Sequence, residues 1–204
     1  MSIKLPTPNT ASSMSLDTAI AQRRSCRSFT TTPLELITIS KLLWAMQGIT
    51  GEQGQRAAPS AGAQYPSHVY LAAGNVTGLS AGIYRYHCAG HRLEIIHDGD
   101  SRESLADAAL EYQPWVKEAA VVVALTADVS AMYAHFLDQP PQGQRGDRYI
   151  YLEAGAITQN AALQAANLNL GAVLVGGFDD DKTHQCLQLP QGLAVTALVC
   201  IGNK

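Results

Sequence analysis

No proline interrupts the chain between Arg148 and Leu170, good helix formers fill that stretch, and Gly171 stands where a helix stops. The stretch predicts one helix of roughly 35 Å at 1.5 Å rise per residue, long enough to cross a whole domain. At 100° per residue, Glu153, Asn160, Gln164 and Asn167 share a narrow stripe. Ile150, Ile157, Leu168 and the many alanines cover most of the remaining circumference, so the helix is expected to be buried nearly all round. Ala154-Gly155-Ala156 and the pairs Ala161-Ala162 and Ala165-Ala166 leave little side chain between this backbone and a neighbour, which suits close helix packing. A glutamate, two glutamines and three asparagines inside the stretch argue against a membrane span.

A chain of 204 residues is most simply one domain. The expected division is a flexible N-terminal arm over 1–15 and a single domain over 16–204. Hydrophobic residues at 47% and charged residues at 15% describe a soluble protein with an alanine-rich interior. A net charge of −3 without a basic block offers no landing site for nucleic acid or an anionic membrane. The polar, proline-bearing start has no apolar core of a leader, so a cytoplasmic location is expected. Cys26, Cys88, Cys186 and Cys200 show no C-x-x-C spacing and are expected to be reduced.

Ser15 caps a short helix that runs into Arg23-Arg24-Ser25-Cys26-Arg27. Thr32-Pro33-Leu34-Glu35 reads as a capping box with proline at the first helical position, opening a second helix that ends at Gly48. Residues 48–66 lack periodicity and form a long loop. His68 to Ala73, Gly82 to Tyr86 and Arg92 to His97 read as strands of a meander, followed by a helix from Ser101 to Tyr112. Ala119 to Leu125 suits a central strand and Val129 to Phe136 a helix. After the long helix come strand Ala172 to Val175, helix Asp180 to Leu187 and strand Leu193 to Ile201. Together these predict an α+β fold on a mostly antiparallel central sheet flanked by helices.

Three separated pieces carry candidate chemistry: R-R-S-C-R at 23–27, R-A-A-P-S-A-G-A-Q-Y-P at 56–66, and V-G-G-F-D-D at 175–180. With L-L-W-A-M-Q-G-I-T, G-I-Y-R-Y and R-Y-I-Y-L-E-A-G-A-I-T-Q-N in the same order, the chain from about Ile20 to Gly202 resembles the nitroreductase family of FMN enzymes. More narrowly it is similar to the SagB-type branch, whose members oxidise azoline rings in peptides. The resemblance implies a nitroreductase-like fold and a homodimer with FMN across an interface that includes the long helix. It also implies hydride transfer through flavin N5 and a small-molecule substrate, with NAD(P)H as a transient co-substrate.

The residues support such a cofactor on their own terms. FMN carries a phosphate, and its reduced ring carries negative charge near N1, so a binder needs cations at two places. Arg23, Arg24 and Arg27 can supply them; the bland alternative is a solvated basic helix end. By position in the family's motif, Arg23 would reach the phosphate, Ser25 the ribityl or pyrimidine edge, and Arg27 the ring near N1. Gly176 and Gly177 leave backbone free to approach N5, although an isolated Gly-Gly is also an ordinary turn. Many relatives carry a glutamate at the position of Gly176. Pro59, Ser60, Ala61 and Gly62 resemble the loop that crosses to the partner's FMN, and Gln113 is a candidate for the pyrimidine edge. Lys204 is the one late cation, where longer relatives continue into a basic tail.

No G-x-G-x-x-G follows a strand, which argues against a Rossmann dinucleotide site. No metal site is expected from His87, Cys88, His91 and His97, because His87 and Cys88 point to opposite faces of a strand. Cys26 reads as a small buried filler, and Asp179, Asp180 and Asp181 as a helix cap. Azoline dehydrogenases carry Lys-Tyr where Pro141-Gln142 precede Gly143, and neither replacement can act as a general base. The sequence therefore favours reduction of a nitro, quinone or similar acceptor over ring oxidation in a peptide. A flavin-binding or interaction protein without turnover stands as the alternative of another class.

Overall fold

In the computed structural model, which describes residues 2–9, 14–141 and 145–204, helix α6 (Arg145–Asn167) crosses one face of a seven-stranded sheet. The strands are β1 (Ser2–Lys4), β3 (Ser67–Ala73), β5 (Gly82–His87), β6 (Arg92–Asp98), β7 (Val121–Asp128), β8 (Gly171–Val175) and β9 (Leu193–Gly202). Their order is β1-β6-β5-β3-β7-β9-β8, and every neighbouring pair is antiparallel. Strand β7 lies centrally because its run of valines and alanines has no polar side to show water. Val121, Val123 and Leu125 point to one core and Val122 and Ala124 to the other, as the two-residue strand period requires.

The first core lies under α6 and α2 (Leu36–Gln47); the second lies under α3 (Arg102–Ala108), α4 (Trp115–Glu118) and α7 (Asp180–Cys186). Ile150, Ala154, Ile157, Ala161 and Ala165 form the buried stripe of α6. The opposite face is not buried, contrary to the expectation from composition: Tyr151 is 62% and Leu152 64% exposed. Large apolar side chains thus stand on the solvent-facing side of α6. No helix among the described residues is long and apolar enough to cross a membrane.

Three local readings are corrected. The N-terminal arm is not loose throughout, since Ser2–Lys4 pairs with β6 in the register Ser2↔Glu94 to Lys4↔Arg92. The proposed capping box does not form. Leu34–Glu35 (β2) is drawn into a two-residue parallel pairing with β4 (Val76–Thr77), and α2 starts after Glu35 without a side-chain cap. The helix from Ser101 ends at Ala108, where Ala109 turns extended and bridges Phe178. In all three cases tertiary pairing overrides local preference. The remaining helices, α1 (Leu16–Gln22) and α5 (Val129–His135), fall where periodicity placed them.

Candidate functional site

The R-R-S-C-R segment leaves α1 at Arg23 and runs beside the edge strand β8. Ser25 bridges Ala172, and the Cys26 N–H donates to the Ala172 carbonyl at 2.9 Å. Gly171 permits this approach: a Cβ there would stand 2.6 Å from Cys26 Sγ and 3.1 Å from the Phe29 ring. Farther on, the Thr30 N–H donates to the Asn203 carbonyl at 2.9 Å, so both β8 and the end of β9 anchor the segment. Cys26 is half-buried rather than the buried filler expected, because it lies on the outer side of the edge strand, and its thiol donates to the Ser28 carbonyl at 3.1 Å.

This anchoring gathers Arg23, Arg24, Ser25 and Lys204 around a cavity of about 260 Å³, with Ala162 and Ala166 of α6 on its wall. Arg24 donates to the carbonyls of Ala21 (3.0 Å) and Arg23 (2.7 Å). Among the described residues none of the three cations has a carboxylate within 4.0 Å. Cations around a concavity without counterions are suited to an anionic ligand.

Arg27 belongs to a different cluster, its guanidinium lying 5.5 Å from the centroid of the Trp115 ring. Just before Trp115, Gln113 donates through Nε2 to the carbonyls of Leu110 (2.7 Å) and Gly177 (3.2 Å). Both amide hydrogens are thereby committed, and only Oε1 remains to accept from a ligand. The Leu110 N–H also donates to the Gly177 carbonyl at 2.9 Å. A Cβ on Gly176 would meet nothing within 4 Å, and one on Gly177 nothing nearer than 3.8 Å, so open space lies beside this turn.

Pro59, Ser60 and Ala61 form a separate cavity of about 320 Å³ with Tyr149, Leu152 and Glu153. Glu153 Oε1 accepts from the Ser60 hydroxyl (2.9 Å) and the Ala61 N–H (2.8 Å), while Ser60 Oγ accepts from the Tyr65 N–H (2.8 Å). Glu153 is 5% exposed, and burial pushes its carboxyl above the usual range, partly opposed by these hydrogen bonds and by Arg56. Gly62 sits at φ +59, where a side chain would be strained and its Cβ would approach His135 Nε2 to 3.2 Å. Asn160 donates to the carbonyls of Ala45 (3.0 Å) and Ala57 (3.2 Å), tying α6 to α2 and to the same loop.

Sequence reasoning placed Glu153 and Asn160 on one stripe but gave neither a task. The available signal was a lone carboxylate on an otherwise apolar helix, which must find buried donors. The histidines do not assemble a metal site. His87 pairs with Glu94 at 2.6 Å, while His91 sits between Ser40 (2.7 Å) and Tyr86 (2.8 Å). Among the described residues no cluster of three His, Cys, Asp or Glu could hold a metal. Asp179 caps α7 by accepting from the Lys182 N–H at 3.0 Å. Of the Pro141-Gln142 position and the glycine motif after it, Gln142, Gly143 and Gln144 lie outside the described residues.

These two clusters therefore offer cations around a concavity, an arginine 5.5 Å from the centroid of an aromatic ring, a glutamine acceptor and an unobstructed glycine turn. These features fit FMN. A protein of Methanocaldococcus jannaschii named as a nitroreductase is 34% identical over 191 residues, covering 94% of this chain and 91% of that one. The crystal structure of a Ralstonia eutropha JMP134 protein described as a nitroreductase superposes with a TM-score of 0.83 at 30% identity, covering 99% of this chain and 89% of the other. At 22% identity, the fold is also shared with a chain of the E. coli microcin synthetase McbBCD complex, with a TM-score of 0.69 and coverage of 98% and 76%. The sequence profile of the nitroreductase family matches residues 20–203, and the chain belongs to that family of FMN-dependent oxidoreductases.

Proposed function

We propose that this chain works as a homodimer that binds FMN at the interface and uses NAD(P)H to reduce a nitro, quinone or similar small acceptor. When bound, FMN supplies two-electron hydride chemistry at N5. Arg23, Arg24 and Lys204 would hold its phosphate and Ser25 its ribityl chain. Arg27 and the free Oε1 of Gln113 would face the ring edge, and Gly176 and Gly177 would keep side chains away from the reacting face. Trp115 restrains Arg27, so that cation costs less to order on binding.

The observation that carries this reading is the separation of two half-sites along one helix. The cradle touches α6 at Ala162 and Ala166, and the Pro59–Ala61 cavity touches it at Tyr149, Leu152 and Glu153. Their centres lie roughly 20 Å apart along the helix axis at 1.5 Å per residue, so a single chain does not bring them onto one ligand. A second copy packed against the exposed Tyr151–Leu152 face would bring its own Pro59–Gly62 loop to this chain's cradle. Gly155, whose Cβ would meet nothing within 4 Å, leaves room for that approach.

The test is threefold: identify the chromophore released by denaturation, sediment the loaded protein, and measure NAD(P)H oxidation with menadione, nitrofurazone and ferricyanide. FMN, a dimer and turnover are the expected results. A protein that neither carries nor takes up FMN, or that sediments as a flavin-loaded monomer, overturns the proposal. Bound FMN without turnover would favour the non-catalytic reading.

A further inference from the structure

A second basic pocket lies at the end of the sheet where β3 begins and β5 ends, and it has no part in the flavin reading. Arg56, His68, Arg85 and His87 line it together with Gln47 and Cys88, around about 180 Å³. Arg85 Nη2 lies 3.2 Å from His68 Nδ1. A guanidinium only donates, so Nδ1 accepts and the imidazole carries its proton on Nε2. Burial, then the charges of Arg85 and Arg56, hold His68 below its ordinary range, so at neutral pH it is an uncharged N–H donor. Its Nε2–H has no hydrogen-bond partner among the described residues.

Arg56 donates to Gln47 Oε1 at 3.0 Å, and its guanidinium stacks 4.5 Å from the Tyr65 ring centroid. Neither Arg56 nor Arg85 has a carboxylate within 4.0 Å among the described residues. Three carboxylates lie within electrostatic reach of these groups and each is otherwise engaged: Glu94, near Arg85, is bonded to His87; Glu153, near Arg56, accepts from Ser60 and Ala61; and Asp128, near His68, caps α5 by accepting from the Ala131 N–H at 2.9 Å. Two half-buried cations sharing one concavity without a counterion are mutually unfavourable, and an anion between them relieves that cost.

We propose that this pocket is a binding site for a tetrahedral oxoanion of the phosphate type, with Arg85 and Arg56 supplying charge and His68 Nε2–H a further donor. The volume suits a phosphate or the phosphate end of a small monoester and is too small to enclose a flavin. Donors on a loop and two strands match a tetrahedral acceptor better than a planar carboxylate. Arg56 also lies three residues before Pro59, and its backbone N–H donates to the Tyr65 hydroxyl at 3.3 Å. An occupant would therefore brace the loop that starts at Pro59.

The experiment is isothermal titration of inorganic phosphate into FMN-saturated protein at constant ionic strength, with glycerol 3-phosphate and acetate as separate arms. One phosphate per chain is expected, with little response to acetate. Arg85→Gln should weaken phosphate binding roughly tenfold or more, as loss of a charge-assisted hydrogen bond predicts, and Arg85→Lys should restore part of it. Arg23→Gln, in the flavin cradle, should leave the phosphate response intact; should the protein prove not to take FMN at all, this variant still separates the two pockets. Glycerol 3-phosphate binding as well as phosphate would identify a monoester site, and phosphate alone a site for the free ion. If Arg85→Gln does not unfold cooperatively, Arg56→Gln, which removes the other cation of the pocket, carries the same expectation. No phosphate binding, binding unchanged in a folded Arg85→Gln, or binding lost only in Arg23→Gln would overturn the proposal.

Discussion

The cradle at Arg23–Arg27 and the loop at Pro59–Gly62 handle their polar groups in opposite ways. In the cradle the backbone is anchored to β8, while among the described residues Arg23 and Lys204 have no carboxylate within 4.0 Å. In the loop the Ser60 hydroxyl has donated to Glu153 and accepted from Tyr65, and the Ala61 N–H is also taken. A region with uncommitted charge contributes binding energy when a ligand arrives. A region whose donors are already spent contributes shape, and its energy goes into holding that shape.

The largest expected effect tests the second half of that contrast. Glu153→Ala strands the Ser60 hydroxyl and Ala61 N–H and should cost about 2–3 kcal/mol in urea unfolding. Glu153→Gln keeps an acceptor and should cost much less. Burial raises the folded-state carboxyl above its unfolded value, so the native state binds that proton more tightly than the unfolded chain does. Stability is then lost as pH rises from the unfolded pKa through the folded one. Glu153→Gln should accordingly gain on the wild type as pH rises above the ordinary glutamate range of about 4; a gain in the reverse direction would mean that the carboxylate is stabilised in place.

Next comes the cradle. Arg23→Gln should raise the FMN dissociation constant roughly 10- to 50-fold with little change in unfolding, whereas Ser60→Ala should mainly lower stability. Fluorescence titration of both variants decides this, and equal losses of affinity would erase the distinction between the two regions.

A smaller effect separates cations within the cradle end. Arg27, set apart over Trp115, should tune the bound flavin more than hold it. A contact worth about 1–2 kcal/mol corresponds to roughly 20–45 mV in a two-electron couple, so Arg27→Gln should lower the midpoint potential by that amount. Arg23→Gln should leave the potential nearly unchanged. Dye equilibration on both proteins measures it, and a shared shift would return the arginines to one role.

The smallest effect is at Gly176. With nothing within 4 Å of a built Cβ, Gly176→Ala should change unfolding by less than about 0.5 kcal/mol. Gly171→Ala, facing Cys26 Sγ at 2.6 Å, serves as the destabilised contrast in the same thermal scan.

The parts legible in the sequence were those set by periodicity and punctuation. The span of α6, the apolar run of β7 and the meander β3-β5-β6 follow from spacing, and the motif order implied the family. Less legible were outcomes decided by distant partners. Nothing local tells Leu34–Glu35 to pair with Val76–Thr77 rather than cap a helix, or Ser2–Lys4 to extend the sheet beyond β6. Likewise the spacing of R-R-S-C-R does not show that Arg27 leaves its neighbours for Trp115. The exposed side of α6 was hidden for a different reason: an apolar helix reads the same whether its own chain or another covers it.

The route of Arg23–Cys26 along β8 has a further consequence for solubility. β8 ends the sheet, and a terminal strand offers unpaired N–H and C=O groups to any other extended chain. Here the neighbouring segment takes the Ala172 carbonyl and lines the rim with guanidinium groups, which resist the approach of a foreign strand. The same residues that would receive a ligand thus act as a gatekeeper against strand-to-strand association. Substitutions that detach this segment should be sought first in the insoluble fraction, before any loss of affinity is measured.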